Sequence, residues 1–313
     1  GILAFGYALI ITPTINALFF SYAHRLEYSL IFKKSAWIAN YSELMLIIRR
    51  MGSLSMQTLL NHLTTFWERI LSMRYLSPGY LSSLNYSKSL AELPRMAMLS
   101  SILTTSYIEQ VNKKTHDEDS YKEYSGKIEK LLNEISFYFQ ILNMLFAPLI
   151  IILVYKRGAF DSQALESTFV IYQILTLGFI PGLMMNFFTR TMYIEQEFKK
   201  LFLVIFFKFI LEISLMISLI TQTSNAIPIA LVFGKFFVST ILFLILNKKR
   251  PNMFNKKVFY LIYFVAFIIS LIILFMNQYL LPILINKPLF DIVLLYSPAA
   301  LVCGIITYII FKK

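Results

Sequence analysis

Nine stretches of this chain are crowded with Phe, Ile and Leu, roughly at 2–22, 52–72, 81–105, 132–155, 165–192, 202–222, 226–246, 258–277 and 289–311. Most come close to the run of about 20 residues that lets a helix cross the hydrocarbon core of a bilayer. None alternates strictly between apolar and polar, so the pattern predicts spanning helices rather than barrel strands. No linker rich in Gly and Ser divides them, and no short-period repeat is visible. The predicted fold class is all-α: a polytopic membrane protein of about nine transmembrane helices.

The basic residues between these stretches orient them. If the first helix runs inward, one set of loops holds twenty Lys and Arg residues, and the opposite set holds only Arg69, Arg74, Lys156, Arg157 and Lys287. Cytoplasmic loops carry the Lys/Arg excess, so the C-terminus is expected in the cytoplasm. The chain opens at Gly1 directly on an apolar run, with neither the basic region nor the cleavage site of a signal peptide. That opening reads as the C-terminal portion of a longer protein.

Composition agrees with the pattern: 58% hydrophobic, 15% charged and a mean hydropathy of +0.66, against about 45–50% and about 25% in soluble domains. A net charge of +12 could suggest nucleic acid, but its concentration in one set of loops suits membrane headgroups instead. A single cysteine, Cys303, excludes an intrachain disulfide. His24, His62 and His116 have no ligand spacing between them, and no nucleotide-binding, hydrolase or zinc-protease motif occurs. No catalytic residues, cofactor or metal site are expected. A metal held by His116, Asp117 and Asp119 is a remote alternative to a solvated charged stretch over 113–130.

What remains is polarity at membrane depth, where ionisable groups are costly and default to function. The third stretch carries Asn85, Lys88, Glu92 and Arg95 at spacings of three, four and three, which share one helical face. Two readings stay open: a stripe facing a water-filled cavity, or an internal Lys88–Glu92 pair with Arg95 reaching the interface. Pro94 lies within the stripe and loosens the backbone there. Glu68 stands near the outer end of the second stretch, facing either the cavity or the interface, beside the anchors Trp67 and Tyr75. Lys208 and Glu212 form an i,i+4 pair in the order that contributes less, and read as structural glue. Lys235 has no local partner in sequence. Gly178, Pro181 and Gly182 interrupt the fifth stretch and mark a hinge or kink.

Several of these residues fall in motifs that resemble the MurJ (MviN) lipid II flippase family. The run SSLNYSKSLAELP, residues 82–94, is similar to its S-A-L-N-Y-A-D-R-L-x-x-L-P signature. KRGAFDSQAL, from Lys156, resembles its R-G-A-F-D turn, and TRTMYIEQEFKK, from Thr189, resembles T-R-A-F-Y-A-x-x-D-T-R. RRMGSLSMQ and WERILSM fit the pattern upstream. The resemblance covers almost the whole chain and implies helices six to fourteen of a fourteen-helix exporter. Residues 1–22 would be the last helix of an N-terminal lobe, and 23–51 a cytoplasmic connection. Residues 52–247 would be the C-terminal six-helix lobe, and 248–313 a helix pair with a groove for a lipid tail.

The implied function is alternating-access transport of a lipid-linked peptidoglycan precursor, lipid II, across the bacterial cytoplasmic membrane, with the fragment inactive alone. The implied partners are that pyrophosphate-bearing lipid, membrane lipids and the N-terminal lobe. Ser82 matches the signature Ser, Glu92 a position where some members carry an acid, and Glu68 one where Asp is usual. The signature's Asp-Arg reads Lys88-Ser89 here, so Lys88 and Arg95 are the expected cationic contacts. An exporter of another polyprenyl-linked oligosaccharide and a non-transporting scaffold remain alternatives. A polyprenyl-sugar transferase is disfavoured by short outer loops.

Overall fold

The computed structural model describes residues 41–156 and 162–285; for 41–54, 95, 97–100, 283 and 285 it describes the backbone alone. The expected first and last spans, the connection over 23–40, Cys303 and the RGAFD turn from Arg157 to Asp161 lie outside the described residues. The chain divides into units Gly1–Leu54 and Ser55–Lys313, and the packing and the site belong to the second.

All regular structure among the described residues is helical. In chain order it comprises α1 (Tyr41–Tyr75), α2 (Tyr80–Met98), a π-helical turn (Leu99–Leu103), α3 (Thr104–His116) and α4 (Glu118–Leu145). There follow α5 (Ala147–Tyr155), α6 (Ser162–Leu177), α7 (Phe179–Ile194), α8 (Phe198–Leu219), α9 (Ala226–Lys249) and α10 (Lys256–Ile285). α8, α9 and α10 are each long and apolar enough to cross a membrane, and the bent pairs α4–α5 and α6–α7 each pass as one broken span. α1 starts at Tyr41, inside the stretch expected to be a cytoplasmic connection. α1 and α2 cover the second and third apolar stretches but are more polar than α8, α9 and α10, and that polarity is concentrated where the site lies.

Both breaks have covalent causes. Pro148, in the first turn of α5, cannot donate to the carbonyl of Met144, and its ring crowds that carbonyl. The chain therefore bends 63° between α4 and α5. The orphaned Met144 carbonyl accepts from Asn277 Nδ2 of α10 at 2.7 Å. Between α6 and α7 the bend is 46° and falls at Gly178, with Pro181 in the first turn of α7, where a missing N–H is tolerated. The Ile180 N–H there donates to Gln140 Oε1 of α4 at 3.1 Å. Gln140 Nε2 in turn donates to Ser270 Oγ of α10 at 3.0 Å. Gln140, Ser270 and Asn277 are all buried, so the polar groups that a break exposes are satisfied inside the protein, as a bilayer demands.

An aromatic core locks α7, α9 and α10 together. Phe243 stacks on Phe259 with centroids 4.0 Å apart, and Phe188 and Phe254 pack around them. At one end of the unit the buried Glu195 carboxylate, in the turn after α7, is approached by Lys114 at 3.1 Å, Lys249 at 3.2 Å and Arg250 at 3.4 Å. Lys249 also bonds Glu197 at 2.7 Å. These residues come from the ends of α3, α7 and α9. The charged stretch over 113–130 is helical apart from Asp117. Asp117 caps α4 by accepting from the Asp119 and Ser120 amides at 3.1 Å each.

Candidate functional site

A cavity of about 690 Å³ lies where α1, α2, α8 and α9 face the break between α6 and α7. α1 supplies Asn61, Thr64, Thr65, Glu68 and Arg69. The spacing 61, 64, 65, 68 is that of one helical face, and it accounts for the low hydropathy of α1. α2 supplies Asn85, Lys88, Ser89 and Glu92. Its opposite face is fastened to α6 by Ser87 Oγ, which donates to the Thr168 carbonyl at 2.7 Å. The polar stripe is thereby turned inward.

Lys88 forms an ion pair and hydrogen bond with Glu68 on α1. Glu68 is buried and Lys88 keeps 27% of its side chain exposed, so the cation rather than the anion is presented to the cavity. Of the two readings for the stripe, the cavity one describes Asn85, Lys88 and Glu92. Arg95 continues the same helix, but its side chain lies outside those described. Ser82 is exposed and does not line the cavity. Glu68 lines the cavity rather than lying at the interface.

The opposite wall holds groups whose role sequence spacing understated. Lys208 pairs with Glu212 at 3.1 Å, as the i,i+4 spacing predicts, and both line the cavity. Lys235 of α9, which has no local partner in sequence, lies within electrostatic range of Glu212 on α8. Glu212 is seated against Gly234. A methyl group at Gly234 would overlap its carboxylate oxygen and lie 2.7 Å from its Cδ and Cγ, so α8 and α9 approach closely there only because position 234 has no side chain. Gly178 borders the cavity, whereas Pro181 and Gly182 are buried behind it.

Arg69, Lys88, Lys208 and Lys235 thus face Glu68, Glu92 and Glu212 across one space. The carboxylates hold the cations in position and lower the cost of burying them. Among the described lining residues, four basic groups stand against three acidic ones. A second, almost wholly apolar groove of about 730 Å³ lies between α9 and α10, walled by Phe233, Phe236, Tyr260, Phe264 and Phe267. Among the described residues no group of His, Cys, Asp and Glu is arranged to hold a metal ion.

A family model described as lipid II flippase MurJ matches residues 2–295. Among solved structures the chain is similar to one described as lipid II flippase MurJ in an inward closed conformation. That likeness has a TM-score of 0.64 and 17% identity over 88% of this chain and 55% of that one. At this identity it speaks to the fold, and the chain spans about half the length of that protein. No curated protein matches.

Proposed function

The chain belongs to the MurJ lipid II flippase family, and from that premise we propose that its cavity binds the pyrophosphate head of a lipid-linked cell-wall precursor during transport across the cytoplasmic membrane. The observation that carries the proposal is the mixed charge of the cavity wall, where the described residues include four basic and three acidic side chains from α1, α2, α8 and α9, with Lys88 paired to Glu68 and Lys208 to Glu212. An empty cavity holding four unpaired cations would be too costly to desolvate. One whose cations sit on internal carboxylates is stable when empty, and it can exchange those partners for phosphate oxygens when loaded. Lys88, partly exposed and held by Glu68, is the leading contact, with Asn85 and Glu92 beside it and Arg95 further along α2. No bond is made or broken: the work is relocation of a charged head past apolar surface.

The apolar groove between α9 and α10 suits the lipid tail, which makes α10 the first member of the tail-binding pair. Its aromatic walls can take up a branched hydrocarbon chain by area burial alone. Residues 52–247 act as one transport lobe, opposed in the natural protein by an N-terminal lobe, and the C-terminus faces the cytoplasm.

One observation favours the second reading, a non-transporting scaffold: Ser89 stands where the family signature has Arg, and it lines the cavity. Complementation separates the two. Lys88→Gln and Arg95→Gln, placed together in the natural protein, should abolish growth of a flippase-depleted strain and block appearance of lipid II in the outer leaflet. Unimpaired growth would overturn the proposed site. Failure of the unmodified natural protein to complement would favour the scaffold.

A further inference from the structure

Among the described residues four carboxylates are buried: Glu68, Glu129, Glu195 and Glu212. Three of them sit on a basic group, Glu68 on Lys88, Glu195 on Lys114 and Lys249, and Glu212 on Lys208. Glu129 is the exception. It is 2% exposed on the buried face of α4, and its hydrogen-bond partner is the Asn133 amide, one turn along the same helix, at 2.5 Å. The lysines nearest in sequence are engaged elsewhere: Lys122 with Asp119, Lys127 with Glu123 and Lys130 with Glu134.

The helices packed on α4 do not supply the missing cation. Burial and the Asn133 bond are what act on this carboxyl; Glu109, Lys113 and Lys114 of α3, Arg190 of α7, and Lys256 and Lys257 of α10 contribute nothing. The titratable group that faces it from α10 is Tyr263, whose buried hydroxyl lies within electrostatic range.

Yet a path to the carboxyl exists. A cleft of about 420 Å³ between α4 and the α9–α10 connection (residues 250–255) reaches Glu129, and Asn252, Met253 and Asn255 form its far side. The connection lies directly on α4 at Gly126, one turn before Glu129 on the same face. A methyl group at 126 would lie 2.8 Å from the Met253 carbonyl oxygen. Met253 and Phe254 are buried, and the Phe254 N–H donates to Asn247 Oδ1 at 3.1 Å. The connection is thus a cover seated beside a buried acid.

A carboxylate taken out of water with no cation to meet it is costly enough that the group holds a proton instead. Oxygen-bound metal ions take about six donors, and the carboxylate with the buried, unbonded Asn133 Oδ1 supplies far fewer. We propose that Glu129 is a proton-binding site, and that its neutral form lets the α9–α10 connection close on α4. Ionised, Glu129 draws in water and lifts the cover. The site is separate from the lipid-head cavity and does not depend on that reading. Only the closed state must hold the proton, so closure is complete at low pH and lost as pH rises. The opening equilibrium grows about tenfold per pH unit while one proton is released.

The test is hydrogen exchange at Met253 and Phe254 in the purified natural protein in detergent, across pH and corrected for the intrinsic rate, with infrared spectra of the same samples. Exchange should quicken as pH rises, and a carboxylic-acid C=O stretch should vanish over the same range. Glu129→Gln, neutral at every pH, should keep the connection shut and remove both changes. Gly126→Ala should move the onset to lower pH, because a lifted cover exposes the acid. If Glu129→Gln shows the same rise in exchange, the proposal fails. Should that variant not fold, the infrared titration of the unmodified protein decides, and absence of a vanishing acid band overturns the proposal. If sodium but not choline holds the connection shut at high pH, the site takes a metal ion and the proton reading is overturned. If Gly126→Ala leaves the onset unchanged, the link to the cover is overturned.

Discussion

Gly234→Ala offers a direct test of how α8 and α9 are joined. Position 234 is buried within α9 and helical, so alanine carries no backbone penalty there and would gain slightly in helix propensity. Against that small gain stands the Glu212 side chain, whose Cγ and Cδ would lie 2.7 Å from the new methyl and whose carboxylate oxygen would overlap it. Glu212 is 1% exposed and tied to Lys208 at 3.1 Å, so it cannot turn aside without breaking that pair. Inserting a methyl into such packing costs about 1–3 kcal/mol. Near 2 kcal/mol, that is roughly a thirtyfold change in an equilibrium constant.

The assay is equilibrium unfolding in mild detergent as a double-mutant cycle with Glu212→Ala. Removing the Glu212 side chain removes the overlap, so Gly234→Ala should cost almost nothing in that background, giving a coupling of about 2 kcal/mol between the two sites. If Gly234→Ala costs the same with and without Glu212, the close seating of Glu212 on Gly234 is wrong.

Other consequences can be checked on the same preparation. Glu195→Gln leaves Lys114, Lys249 and Arg250 gathered around a neutral group, and should cost about 3–5 kcal/mol in unfolding, as removal of one partner from a buried charge cluster does. The hydrogen bond from Lys249 holds the Glu197 carboxyl below its ordinary value. A depressed folded-state value means stability that is intact above the ordinary carboxylate range and is lost as pH falls through the folded value. Melting temperatures should accordingly hold from neutrality to the ordinary range and decline below it, and Lys249→Met should flatten the decline. Gln140→Leu orphans the Ile180 N–H and the Ser270 hydroxyl, at about 1–3 kcal/mol for a buried polar group left without a partner; hydrogen exchange should quicken at Ile180 first. Glu68→Gln should leave Lys88 without its charged partner and weaken complementation more than Asn85→Ala does.

How much of the fold is legible in the residue pattern depends on whether the signal is local. α8, α9 and α10 are legible because each is one strongly apolar run, in which Lys208, Glu212 and Lys235 are isolated exceptions. The helix already present over Tyr41–Arg50 is not, because it carries Glu43, Arg49 and Arg50 and looks like a loop. Lys208–Glu212 is an i,i+4 pair and can be read directly. Lys88–Glu68 joins two helices, and no spacing rule links positions twenty residues apart across a turn. The cavity face of α1 does have helical spacing in Asn61, Thr64, Thr65 and Glu68, but three of the four are neutral and do not stand out as costly in a membrane. Gly178 is visible as a break, whereas the seating of Lys235 against it is not, since only packing brings α9 there. The bend before Pro148 has a sequence signal in that proline, though the whole segment reads as one continuous apolar stretch.

Both breaks, finally, are completed by the same late helix. Gln140 and Met144 lie four apart on α4, and Ser270 and Asn277 lie seven apart on α10, so one face of each meets the other along a polar seam. In the order of synthesis, the Gln140 amide emerges 130 residues before Ser270, and the Met144 carbonyl 133 residues before Asn277. The helices before α10 must therefore enter the bilayer with two polar groups unanswered, and α10 has a reserved berth before it is made. Assembly is gated by α10, and a ribosome halted before residue 270 would leave the earlier helices inserted and still waiting to close.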